Sequence, residues 1–177
     1  MQPHRPPHLY EPNTIYFLTD KTIKGESYFE TVEKKTLFLQ VLKQALSKFS
    51  YRLYAFVIHD NHYHILVGVS DAQTLPAFIN NLHSNSARLI NKPDSTPGRA
   101  IWYQYWDRCI RTDRDFWFRF NYIHHNPVKH GYLKTQQEAE AYPWCSFKKW
   151  IEKMGKEWAY SVFEAYPSMD FTLEQED

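Results

Sequence analysis

The sequence predicts an α+β fold in which an antiparallel sheet carries helices packed on its face. Three observations predict it. Runs rich in β-branched and aromatic residues recur at 14–22, 51–58, 62–69 and 101–110, and two amphipathic helical stretches separate the first run from the second and the third from the fourth. The second and third runs are joined by only three residues, His59, Asp60 and Asn61, which suits a tight hairpin. The resulting order, β-α-β-β-α-β followed by a further helix, is the ferredoxin-like plan.

Each element follows from local pattern. Residues 1–13, rich in Pro and His, read as an irregular arm, and the β-prone TIYFLT opens the first strand. From about residue 30 to 49, Leu37, Val41 and Ala45 recur with Phe38, Leu42, Leu46 and Phe49 at helical spacing. YRLYAFVI and HYHILVGV form the hairpin. Ser70 and Asp71 offer caps to a second helix, marked by Leu75, Phe78, Ile79, Leu82 and Leu89, that stops before Pro93. KPDSTPGR is a loop, IWYQYWDRCI is an aromatic strand, and Thr112 and Asp113 cap a helix from about 114 to 126 that Pro127 ends. The expected organisation is an arm at 1–13, one domain at 14–150 and a C-terminal extension at 151–177 with an acidic tail.

Composition narrows the function classes. A chain of 177 residues, 43% of them hydrophobic, can bury one sizeable core and is too short for two ordinary domains. Its 6 Trp, 13 Tyr and 12 Phe exclude global disorder. No apolar run is long enough to cross a bilayer, and MQPHRPPHLYEPN lacks the apolar stretch of a secretory signal, so a cytoplasmic protein is expected. Cys109 and Cys145 alone can build neither a disulfide framework nor a cysteine-rich zinc site. The net charge of +1 conceals an asymmetry: Glu164, Asp170, Glu174, Glu176 and Asp177 face no Lys or Arg after residue 160, which leaves the preceding residues with a positive surplus. Such a surplus suits a polyanion without requiring one.

Two constellations carry chemistry. In His62-Tyr63-His64 the period of two places both imidazoles on one face of a strand and Tyr63 on the other. This is half of a metal site, or equally a pair of partly buried histidines bonded to backbone. In FNYIHHNPVKHGYL, Tyr122 and Asn126 lie four apart on one helix face, with His125 nearly alongside. Read singly, Tyr122 is a core aromatic and Asn126 a helix terminator.

Taken together and in this order, VIHDNHYHILV, WYQYWDRCIRTDRDF, FNYIHHNPVKHGYL and YPWCSF resemble the HUH single-tyrosine transposases, and within them the REP-associated tyrosine transposases. The resemblance runs from about residue 15 to 150. The Tyr-Ile-His-x-Asn-Pro-Val run and the aromatic-Ser element from Trp144 to Ser146 point to the REP-associated branch. It implies that His62 and His64 are the family's His-hydrophobic-His metal pair, that Asn126 is the third ligand, and that Tyr122 is the catalytic tyrosine. The chain departs where relatives commonly have Met-Pro-Asn before the first His: His59, Asp60 and Asn61 stand there, and Tyr63 is bulkier than the usual aliphatic residue. His59 reads as a surface residue unless the hairpin folds it towards the metal.

A phenol with a pKa near 10 is a poor nucleophile, and a divalent cation, Mg2+ or Mn2+, held with positions left open would neutralise charge growing on phosphate. Imidazole ligands suit Mn2+ better than Mg2+. The resemblance implies a 5′-phosphotyrosine intermediate with a free 3′-hydroxyl, single-stranded DNA with a REP-like hairpin as substrate, and a monomer or homodimer. Arg108, Arg111, Arg114, Arg119 and Lys129 among aromatic rings, with Lys148 and Lys149, are the DNA-contact candidates. Two alternatives stand beside this reading. One is a non-catalytic single-stranded nucleic-acid-binding module of ferredoxin-like fold. The other is a hydrolase in which His62, His64 and one of His124 or His125 hold zinc.

Overall fold

The computed structural model describes residues 13–169, so the arm as far as residue 12 and the acidic tail from 170 lie outside the described residues. The elements run β1 (Thr14–Lys21), α1 (Val32–Phe49), β2 (Arg52–Ile58), β3 (His62–Val69), α2 (Leu75–Asn91), β4 (Trp106–Ile110), α3 (Asp113–Lys129), α4 (Phe147–Met154) and α5 (Lys156–Ala165). The four strands form one antiparallel sheet in the order β2-β3-β1-β4. With its crossover helices this is the ferredoxin-like order expected from the sequence.

Strand alternation divides the core in two. Tyr16, Leu18, Phe56, Ile58, Tyr63, Ile65 and Val67 point to one face and pack with the apolar stripes of α1 and α2. Phe17, Ala55, Val57 and Leu66 point to the other, against Phe120, Ile123, Phe147, Ala159 and Val162 of α3, α4 and α5. The second face is therefore covered as well, which the β-α-β-β-α-β order did not announce. The boundary expected at residue 150 falls inside α4, and α5 is tied to α3 where the Asn121 amide donates to the carbonyls of Val162 (2.8 Å) and Tyr166 (2.6 Å).

Three caps and one reversal set the helices. Thr31 accepts a hydrogen bond from Lys34 N at the start of α1, Asp71 caps the 3-10 turn that leads into α2, and Thr112 accepts from Asp115 N at the start of α3. Contrary to expectation, α3 does not end at Pro127 but runs on to Lys129. The proline removes one N–H, that facing Ile123, within the last turn, while the Asn126 and Val128 carbonyls still accept from His130 and Gly131. Gly131, at φ +74, makes the reversal and carries Tyr132 back over the β2–β3 turn. The aromatic run at 101–110 is also shorter as a strand than expected: only Trp106–Ile110 joins the sheet, and upstream of it Trp102 makes a single bridge to Thr22.

The open edge of β2 is closed by the segment 144–146, where Ile58 N bonds to the Trp144 carbonyl (2.9 Å) and Ser146 N to the Phe56 carbonyl (3.0 Å). Ser146 Oγ accepts from Phe56 N (2.9 Å) and hydrogen-bonds the buried His124 ring (2.7 Å). Ser146→Ala leaves both buried groups without this partner, and an unsatisfied buried polar group costs about 1–3 kcal/mol. Urea unfolding should therefore show a loss of about 2 kcal/mol or more with an unchanged slope; a loss below about 0.5 kcal/mol would mean that the edge closure contributes little.

Candidate metal and nucleophile site

The face of β3 that meets α3 presents His62 and His64, while Tyr63 points to the opposite core and hydrogen-bonds His83 (2.9 Å). The period-of-two reading of this strand is what the structure has. The two His rings lie 5.1 Å apart. His64 is buried, stacked on Phe17 at 5.6 Å, and meets the ring of Tyr122 edge-on at 5.2 Å. Tyr122 is itself buried, and Lys129 Nζ lies 5.2 Å from the centre of its ring.

One turn further along α3, Asn126 is fully buried. Its amide nitrogen donates to the Tyr122 carbonyl (3.3 Å), which turns Oδ1 towards His59 Nε2 (3.1 Å). Helical spacing of four thus brings Tyr122 and Asn126 to the histidine-bearing face of the sheet. His59 is not the surface residue that its place in the turn suggests: it is fully buried, 4.4 Å from the ring of His62, and covered by Tyr132 at 5.0 Å. His130, at the end of α3, lies 4.6 Å from His62 and 5.0 Å from His59. One ligand atom from each of His59, His62 and His130 falls within 4.8 Å of the others.

The turn that carries His59 is pinned from several sides, which offsets the absent proline. His59 N bonds to the His62 carbonyl (2.9 Å), and the Asp60 and Asn61 carbonyls accept from Phe29 N and Thr22 N. The Asp60 carboxylate pairs with Lys35 of α1, and Asp60 N donates to the Tyr132 hydroxyl (3.1 Å).

Burial dominates the electrostatics. Desolvation, followed by the neighbouring His62 and His130, pulls the His59 pKa down to about 2, and desolvation with His130 pulls that of His62 down to about 3. His64 is likewise pushed well down by burial. All three are neutral imidazoles near pH 7, the form that ligates a metal. His62 Nδ1 donates to Asn61 Oδ1 (2.7 Å), which leaves Nε2 as the nitrogen that a metal could use, and the Nδ1 atoms of His59 and His64 are buried without a hydrogen-bond partner. Neutral imidazoles, an amide oxygen and orphaned ring nitrogens fit a divalent cation.

The other expected residues divide. His124 is buried against Phe120 and Phe147 and bonded to Ser146, while His125 Nδ1 bonds to Gln136 Oε1 (2.9 Å). Neither joins His62 and His64, so the zinc set drawn from them does not assemble. Arg119 departs from its expected DNA contact: it is 2% exposed, its Nε bonds to Asp115 (2.9 Å), and its guanidinium lies over Phe17 at 4.9 Å, where a phosphate cannot reach it. Arg108, Arg111 and Arg114 are exposed around the start of α3, Lys129 beside Tyr122, and Lys148 and Lys149 on α4. His59 carried one sequence signal, an imidazole where the resemblance leads one to expect Met, and the closeness of His130 to it carried none.

The ferredoxin-like sheet thus carries clustered imidazoles against a tyrosine-bearing helix. The family model described as "Transposase IS200 like" matches residues 22–111, half of the chain, and the chain belongs to that family of transposases. It is 26% identical over 140 residues to the REP-associated tyrosine transposase of Escherichia coli (strain K12), covering 72% of this chain and 79% of that protein. A Haemophilus influenzae protein provisionally given the same name is 25% identical over 122 residues, 63% of this chain and 68% of its own length. A solved structure of a REP-associated tyrosine transposase bound to a REP hairpin superposes with a TM-score of 0.74 at 17% identity, covering 97% of this chain and 96% of the other. That likeness shows the shared fold, including the helices beyond residue 111.

Proposed function

We propose that this transposase cuts single-stranded DNA beside REP-like hairpins through a covalent link to Tyr122. One observation carries the reading: Tyr122 packs edge-on against His64, and Asn126, one turn away, reaches His59, so that phenol, amide and imidazoles share one side of the sheet. The relatives' association with REP hairpins supports the choice of substrate.

In the proposed step the Tyr122 oxygen attacks phosphorus and forms a phosphotyrosine bond to the downstream 5′ end. The bond from phosphorus to the 3′ oxygen breaks, and that oxygen leaves as a hydroxyl after taking up a proton. Attack by a 3′-hydroxyl reverses the step and joins strands without ATP. His62, with His64 and Asn126 as its expected companions, would hold a divalent cation that neutralises charge developing on the phosphate. Lys129, exposed beside the Tyr122 ring, supplies a fixed positive charge where the strand must pass. Packing of the phenol against His64 and Phe17 restricts its ring and so lowers the entropic cost of aligning it. Domain limits of 14–150 are extended in this reading to include α5, which backs α3.

The exposed cations define a binding test. A single strand carrying a hairpin should bind better than blunt duplex, and affinity should fall as salt rises, because each phosphate contact on a single strand contributes about −0.7 to the slope of log K against log salt. Arg108→Ala and Arg111→Ala should flatten that slope, whereas Arg119→Ala should lower stability and leave the slope of the folded protein alone. Equal affinity for hairpin, duplex and unstructured strand would remove the hairpin from the proposal. Cleavage of a 3′-end-labelled hairpin strand, with the labelled downstream piece retained on denatured protein, tests the chemistry; cleavage with both pieces released would favour a hydrolase instead.

A further inference from the structure

We propose that His59 and His130 are metal ligands together with His62, giving an imidazole-rich site that selects a transition metal such as Mn2+, Co2+ or Zn2+ over Mg2+. The inference rests on the reading of His62 as a ligand and goes beyond it in the donor set and the metal class.

Convergence is the first observation. His59 and His62 bracket the β2–β3 turn, His130 comes from the far end of α3, and one ligand atom of each lies within 4.8 Å of the other two. The three rings stand 4.4, 4.6 and 5.0 Å apart, closer than His62 stands to His64 at 5.1 Å. The cluster runs from the buried His59 through the half-buried His62 to the exposed His130, so it opens to the surface from a depth at which aliphatic side chains would pack without polar atoms to satisfy.

The second observation is the state of His59. It is fully buried, its Nε2 is bonded to Asn126, and its Nδ1 has no hydrogen-bond partner among the described residues. His124 also leaves one ring nitrogen unpaired but belongs to no cluster of donors, whereas the unpaired nitrogen of His59 lies in a ring on which His62 and His130 converge. Position 59, where the resemblance leads one to expect Met, thus carries a donor that a cation can use.

The third is the kind of donor. Asp60, the carboxylate next to the cluster in sequence, is committed to Lys35, so the atoms that converge are nitrogens with the Asn126 oxygen beside His59. Mg2+ prefers oxygen ligands and retains its waters, whereas imidazole nitrogen suits Mn2+, Co2+ and Zn2+. The Asn61 amide that orients His62 is the outer support a ligating imidazole needs.

Titration of the full chain with Co2+, followed by visible absorption, reads both affinity and coordination without any DNA. The wild type should give a Co2+ band that Zn2+ removes, that Mn2+ removes only in excess, and that Mg2+ in about hundredfold excess does not remove. His130→Ala, at an exposed position, and His59→Met should each weaken Co2+ binding by about tenfold or more and alter the band, with circular dichroism unchanged. An unaltered band and affinity in folded His130→Ala and His59→Met would overturn the proposal, as would displacement of Co2+ by Mg2+. His62→Ala separates the two levels. Loss of binding in His62→Ala alone refutes the roles of His59 and His130 and leaves His62 a ligand, whereas retention of binding in all three variants refutes the metal reading of His62 as well.

Discussion

Tyr122→Phe is expected to lower the rate of strand cleavage by about 10⁴-fold or more while leaving hairpin affinity within about twofold, since removing a nucleophile abolishes the covalent step and binding rests on other groups. The substitution deletes one oxygen. The ring keeps its edge-on contact with His64 at 5.2 Å and with Phe17 at 6.1 Å, and Lys129 still lies over its face, so α3 remains packed on the sheet. Other phenols stand nearby, yet none is placed as Tyr122 is. Tyr132 accepts a hydrogen bond from Asp60 N, and burial raises its pKa to about 12; Tyr103 is 68% exposed, away from the core. The check is a single-turnover cleavage assay beside a binding titration on the same preparations, and normal cleavage by the phenylalanine variant would contradict the role given to Tyr122.

Metal-dependent cleavage should fall by at least about 10³-fold in a protein carrying both His62→Ala and His64→Ala, because charge stabilisation at phosphate supplies several kcal/mol. The two substitutions differ in what else they do. His62 is half-buried, and its replacement should cost little stability. His64 is buried and stacked on Phe17 at 5.6 Å, so truncating it leaves a cavity and costs about 2–3 kcal/mol. His62→Ala alone is therefore the cleaner probe, and thermal unfolding must accompany the double variant. Asn126→Ala should reduce cleavage less, since water can stand in for a neutral amide ligand. Full Mn2+-dependent activity in the doubly substituted protein, shown to be folded, would remove His62 and His64 from the site.

What the sequence discloses about this site depends on whether a local rule applies. Strand alternation puts His62 and His64 on one face and Tyr63 on the other, and helical spacing puts Tyr122 and Asn126 one turn apart; both hold because they depend only on backbone period. Depth is a different matter, since alternation does not say that α3, α4 and α5 cover that face and bury His64. The position of His59 depends on the path of a three-residue turn held by Lys35, Phe29, Thr22 and Tyr132, partners up to 73 residues away in the chain. His130 joins the cluster only because α3 continues through Pro127, where proline in a last turn removes a single hydrogen bond rather than breaking the helix. Arg119 sits among exposed arginines in sequence, yet it turns inward, bonded to Asp115 four residues before it and lying over Phe17.

Peptide mapping of the covalent product tests the central claim most directly. Wild-type protein would be incubated with a single-stranded hairpin substrate and Mn2+, denatured, digested with nuclease and protease, and examined by mass spectrometry for a peptide carrying a 5′-linked nucleotide. The account predicts that nucleotide on Tyr122, absent from Tyr122→Phe and from reactions without a divalent metal. A nucleotide mapped to any other residue, or cleavage that proceeds fully with no modified peptide, would contradict it.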